Sequence, residues 1–180
     1  MKTVLIIHGI GGHAGIHWQQ WLHDQLVAQG HQVLMPDLPE PDHPDRKTWL
    51  AEIKKTLNGV NLGQLTIVSH SLGAVTALDF IEQASGQINR LLSVAGFAKD
   101  YGAEMNSYFL SERLIDFENV TEKLRWAAVI YSDKDPYVPQ AALRYMADSL
   151  GVQPIIIPGG GHLNSDAGFT EFPQLLEMLQ

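Results

Sequence analysis

The chain has 180 residues, no cysteine and a formal net charge of −8, with 45% hydrophobic and 18% charged residues. This is the composition of one globular domain, residues 1–180, large enough to bury a substantial core, and it excludes disulfides, thiolate metal sites and a cysteine nucleophile. The acidic balance and the scattered Lys and Arg disfavour nucleic acid or an anionic membrane surface as a partner.

Apolar β-like runs alternate with helical ones along the chain. "TVLIIH" (residues 3–8) reads as a strand, followed by a glycine-rich loop and a helix over 17–29 that stops at Gly30. "HQVLMP" (31–36) is a second strand, and a proline-dense surface loop (36–45) leads to a helix over 47–57. "QLTIV" (64–68) reads as a third strand and "LGAVTALDFI" (72–81) as its following helix, with small residues that let it lie close to a sheet. "INRLLSVAG" (88–96) and "RWAAVIYS" (125–132) are further strands. The irregular stretch between them, 97–124, has room for one or two short helices and carries Tyr101, Tyr108 and Phe109 as candidates to cap a pocket. A helix over 140–150, the strand "VQPIIIP" (152–158) and a last helix over 171–179 complete the pattern.

Strands separated by helices predict an α/β fold: about six mainly parallel strands, helices on both faces, right-handed crossovers and a minimal lid. The near-continuous apolar runs predict strands buried on both faces. No run approaches the roughly 18 apolar residues of a membrane span. The apolar stretch at 4–7 is too short for the core of a signal peptide, so a cytoplasmic location is expected.

Ligand sites of open parallel sheets lie outside the carboxyl ends of the strands. Four segments occupy such places: "HGIGGH", "SHSLG", "SDKDPYVP" and "GGGHLN". "SHSLG" is a variant of the G-x-S-x-G elbow, in which a sharp strand-to-helix turn presents a nucleophilic serine. Here the serine is Ser71, and Ser69 replaces the first glycine while Gly73 keeps the second. A serine hydroxyl needs an imidazole to take its proton and a carboxylate to hold that imidazole in the right tautomer. His162, after the last strand and behind three glycines, is the candidate base. Asp135 is the favoured acid, with Asp133 its competitor in the same loop. The order Ser, Asp, His along the chain is that of α/β hydrolases.

An oxyanion hole needs preorganised N–H donors, worth about 2.7–4 kcal/mol each. The backbone N–H of Leu72 is one candidate; Ile10 is the other, with Gly11 as the fallback. Gly11, Trp18, Phe97, Tyr108, Tyr137 and Leu163 are the expected pocket residues.

Together these pieces resemble the compact α/β hydrolases of the retinoblastoma-binding-protein type. The resemblance rests on "VLIIHGIGG", "HWQQWL", "SHSLG", "SDKDPYVP" and "GGGHLNSDAGFTEFPQLLEML", which run from the first strand to the last helix. It implies Ser71, Asp135 and His162 as the triad, hydrolysis of small esters or amides, and no metal or organic cofactor.

Plainer roles compete at each position. Ser71 is also a plausible helix cap and Asp135 a turn former in "DKDP"; His162 also suits a surface loop. His8 is expected to be structural, and His70 to point away from the reacting centre. His13 and His17 lack the H-E-x-x-H context of a zinc site. The sequence therefore supports a serine esterase acting on a small acyl substrate, with a non-catalytic binding or adaptor protein of the same fold as the alternative.

Overall fold

The computed structural model describes residues 2–180. Its sheet contains β1 (Thr3–Ile7), β2 (Gln32–Leu34), β3 (Leu65–His70), β4 (Arg90–Val94), β5 (Ala127–Ser132) and β6 (Ile155–Ile157), in the order β2-β1-β3-β4-β5-β6. Every neighbouring pair is parallel. The helices are α1 (Gln19–Ala28), α2 (Arg46–Thr56), α3 (Gly73–Gln83), α4 (Glu104–Ser111), α5 (Phe117–Lys123), α6 (Gln140–Ser149) and α7 (Pro173–Glu177). This is the parallel α/β arrangement predicted from the alternating runs.

Side chains alternate across a strand, so each central strand feeds two cores. On β1, Leu5 and Ile7 join a cluster with Trp49 and Ile53 of α2, Leu78 of α3 and Leu143 of α6. Val4 and Ile6 point the other way, to Leu22 and Leu26 of α1 and Leu175 of α7. Burial on both faces explains why these strands read as continuous apolar runs.

That expectation fails at the sheet edges. Ile155 and Ile156 of β6 are 41% and 46% exposed, and β2 is only partly buried. A strand with a neighbour on one side only has less covering it, and a run of β-branched residues does not reveal its place in the sheet. The run expected over 152–158 accordingly pairs over only Ile155–Ile157. Among the described residues, no helix is long and apolar enough to cross a membrane.

The order of strands creates the site. The chain leaves β1 towards β2 on one side and then crosses back to β3 on the other, so the loops after β1 and β3 diverge and leave a crevice between them. One wall of that crevice comes from the segment between β4 and β5, through α4. A buried ion pair anchors this helix. Arg46 and Asp79, 3% and 1% exposed, meet at 2.7 and 2.9 Å, and Arg46 Nη1 also donates to the carbonyls of Phe109, Leu110 and Arg113. Arg46 therefore satisfies the carbonyls at the end of α4 while its charge is balanced by Asp79.

Candidate active site

Ser71 sits between β3 and α3 with φ +53°, a left-handed conformation that a non-glycine residue adopts only under constraint. Its N–H donates to Val94 O at 3.0 Å, pinning the turn to the adjacent strand. Gly73 allows α3 to start so close to the sheet. A Cβ there would stand 2.4 Å from His8 O and 3.0 Å from Ile7 Cγ2. Ser69, by contrast, is accommodated: it is fully buried and lies in register with Ser93, another small residue, on β4. Its Oγ has no hydrogen-bond partner.

Ser71 Oγ lies 2.9 Å from His162 Nε2, and His162 Nδ1–H donates to Asp135 Oδ2 at 2.7 Å. Asp135 is held in turn: its Oδ1 accepts from the N–H groups of Tyr137 and Val138 at 2.9 and 3.0 Å, and its side chain is fully shielded from solvent. Asp133 has another place. Its Oδ1 accepts from Gly159 N–H at 2.7 Å, which ties the β5 loop to the start of the His162 loop. Among the described residues the N–H groups of Leu72 and Ile10 have no acceptor, whereas that of Gly11 is committed to Pro41 O at 2.7 Å. Leu72 and Ile10 thus each keep an uncommitted donor beside the elbow, and Gly11 does not.

The loop carrying His162 is fastened from behind. Trp18 Nε1 donates to Leu163 O at 2.9 Å and His70 Nε2 to His162 O at 3.0 Å. Leu163 itself has φ +49°. His70 does not point away from the centre as expected. It is the last residue of β3, and the reversal at Ser71 keeps its ring at the same end of the sheet, 5.0 Å from that of His162. Complete burial holds His70 well below its ordinary pKa, and the neighbouring His162 adds to that effect, so it is neutral. His8 is structural: Nε2 accepts from Leu38 N–H at 3.0 Å, which leaves the proton on Nδ1, donated to Gly9 O at 2.8 Å.

A cavity of about 300 Å³ opens at Ser71 and His162. Of the expected pocket residues, Gly11, Phe97 and Tyr137 line it, together with Ile10. Trp18, Leu163 and Tyr108 do not. Trp18 and Leu163 are completely buried in the α1–α7 core, drawn there by the hydrogen bond between them. Tyr108 instead stacks on His43, ring centroids 4.3 Å apart. The sequence reading missed His17, Met105 and Asn106 as lining residues, and placed Tyr101 no more closely than as a candidate cap. Left-handed backbone at His17, φ +60°, turns that residue into the site, and no local pattern announces such a turn. No group of His, Cys, Asp and Glu side chains among the described residues is arranged to hold a metal ion.

A serine on a strained elbow, an imidazole within hydrogen-bond reach, a carboxylate behind it and two free N–H groups nearby place the molecule among the α/β hydrolases. The profile of the serine hydrolase family matches residues 4–180, and the chain belongs to that family. It is 31% identical over 181 residues to YdeN of Bacillus subtilis (strain 168), a protein designated a hydrolase, covering 99% of this chain and 94% of that one. The crystal structure of the B. subtilis ydeN gene product superposes with a TM-score of 0.90 at 28% identity, over 99% of this chain and 97% of that one. A YdeN-like hydrolase from Pectobacterium atrosepticum shares the fold, with a TM-score of 0.74 at 21% identity over 98% of this chain and 88% of that one.

Proposed function

We propose that the protein hydrolyses small carboxylic esters through an acyl-enzyme on Ser71. The observation that carries this reading is the continuous hydrogen-bonded chain Asp135–His162–Ser71 beside two unpartnered backbone N–H groups. His162 Nε2 takes the Ser71 proton as Oγ attacks the substrate carbonyl carbon. The Leu72 and Ile10 N–H groups receive the negative charge that develops on the carbonyl oxygen. Collapse of the tetrahedral intermediate breaks the ester bond, and the His162 imidazolium returns its proton to the departing alcohol. Water then attacks the acyl-serine, again giving a proton to His162, and the acid leaves with Ser71 regenerated. Asp135 holds the ring with Nε2 towards Ser71 and stabilises the imidazolium.

The modest cavity favours short substrates. Within its family we place the chain with the compact hydrolases of the retinoblastoma-binding-protein type, on the motifs quoted above. The test is labelling by a fluorescent fluorophosphonate together with turnover of p-nitrophenyl acetate. Both are expected in the native protein and both should vanish in Ser71→Ala. A folded native protein that shows neither is a binding protein that has kept the hydrolase fold.

A further inference from the structure

The cavity beside Ser71 is lined without a fixed charge. Among the described residues no Asp, Glu, Lys or Arg side chain lines it. Burial keeps the imidazoles of His17 and His70 below their ordinary pKa, and so neutral at pH 7. Most of the surface is apolar: Phe97 and Val138 are buried, and Ile10 and Ile16 half-buried. This apolar lining continues out to solvent. Met105, on α4, and Tyr137, in the loop after β5, line the cavity as well, and each is 57% exposed. A side chain that belongs both to a cavity wall and to the open surface stands at the mouth. Tyr137 is held there: its N–H donates to Asp135 Oδ1 at 2.9 Å, and its ring meets that of His162 edge to face, centroids 5.3 Å apart. Helix α4 turns Asn106, Phe109 and Leu110 into the protein and leaves Met105 outward. Single exposed apolar residues are commonplace, but two at the mouth of an apolar cavity extend its binding surface.

We propose that Met105 and Tyr137 are specificity-determining residues that receive an uncharged, apolar arm of the substrate ester, so that neutral alkyl esters are taken and their charged analogues turned away. The flexible thioether of Met105 adapts to such a chain, and the arm reaches past the enclosed space to the mouth. A charged tip loses water there and finds no countercharge in the lining, a penalty that an alkyl tip does not meet. The net charge of −8 by itself repels anions and attracts cations, whereas an uncharged apolar mouth rejects both. This inference rests on the hydrolase reading for its turnover assay, and one arm below is independent of it.

The experiment compares esters that differ at the tip of the arm: methyl, carboxylate or ammonium. On the acyl side these are p-nitrophenyl hexanoate, mono-p-nitrophenyl adipate and p-nitrophenyl 6-aminohexanoate, corrected for spontaneous hydrolysis. On the alcohol side they are hexyl acetate, 6-acetoxyhexanoate and 5-aminopentyl acetate. All are assayed in about 0.5 M NaCl, where a Debye length of about 4 Å screens the field of the whole chain. In at least one series the neutral ester should exceed both charged analogues in kcat/KM by about tenfold or more. Met105→Lys should narrow its lead over the anion and Met105→Glu its lead over the cation, each by about threefold or more, with folding checked by thermal unfolding. A merely structural disturbance of α4 moves all three esters together, whatever the sign of the new charge. The absence of a neutral lead in both series overturns the proposal, and so do Met105 variants that shift the three esters alike. Should no ester turn over, NMR titration of the native protein with ethyl hexanoate and monoethyl adipate still decides. Preferential binding of ethyl hexanoate keeps the inference and removes only the acyl-enzyme; any other result overturns it.

Discussion

Trp18 and Leu163 lie 145 residues apart in sequence, yet the indole Nε1–H of one donates to the carbonyl of the other at 2.9 Å in a fully buried setting. Leu163 follows His162 directly, so this bond and that from His70 to His162 O fix the backbone from which the imidazole reaches Ser71. Trp18 is therefore a positioning residue for the proposed triad. In Trp18→Phe most of the ring volume remains, but Leu163 O is left buried without its donor. The expected cost is about 1–3 kcal/mol of stability. The rate of fluorophosphonate labelling and kcat should fall more than KM rises, because the fault lies in the alignment of His162.

Asp135 and Asp133 have separable roles. Asp135→Asn removes the acceptor that selects the His162 tautomer, and kcat should drop by about 10⁴-fold while the fold persists. Asp133→Asn can still accept from Gly159 N–H, so kcat should stay within about tenfold of native. Steady-state kinetics of the two variants on p-nitrophenyl acetate checks the assignment, and equal losses would contradict it.

At the elbow, Ser69 is tolerated and Gly73 is required. Ser69→Ala removes a buried hydroxyl that has no partner, and denaturant unfolding should find stability within about 1 kcal/mol of native or above it. Gly73→Ala drives a methyl group towards the backbone carbonyl of His8, and the clash should cost about 1–3 kcal/mol and displace Ser71. Equal stabilities for the two variants would contradict this account.

Four imidazoles link stability to pH. Burial is the main cause that lowers His8, His17, His31 and His70 below the ordinary value of 6.5. As pH falls through that value, the unfolded chain takes up protons on these side chains while the folded chain resists until lower pH. Unfolding is therefore favoured by acid, and the contribution of these groups is complete only above about pH 6.5. Melting temperature should decline as pH is lowered from 7 towards 5, and less steeply in His70→Asn, which has one such group fewer. An unchanged slope in that variant would contradict the burial account.

The central strands, the elbow and the order Ser71, Asp135, His162 were legible because each is written locally. Continuous apolar runs mark strands covered on both faces, and the four loops at the carboxyl ends follow from parallel topology. The edge strands β2 and β6 were overextended because neighbours, and not residue type, decide how far a run pairs.

The α/β architecture and the residue types available for serine chemistry follow from chain order and local pattern alone. Backbone hydrogen bonds and buried apolar side chains dictate the first, and chain order with turn-forming residues the second. Contacts between distant segments set Asp135, and not Asp133, against His162, and they commit the Gly11 N–H to Pro41 O while that of Ile10 has no acceptor. The same contacts keep Trp18, Leu163 and Tyr108 out of the pocket and bring in His17, Met105 and Asn106. Those placements depend on packing between segments distant in sequence, such as Arg46 holding the end of α4, for which no local pattern exists.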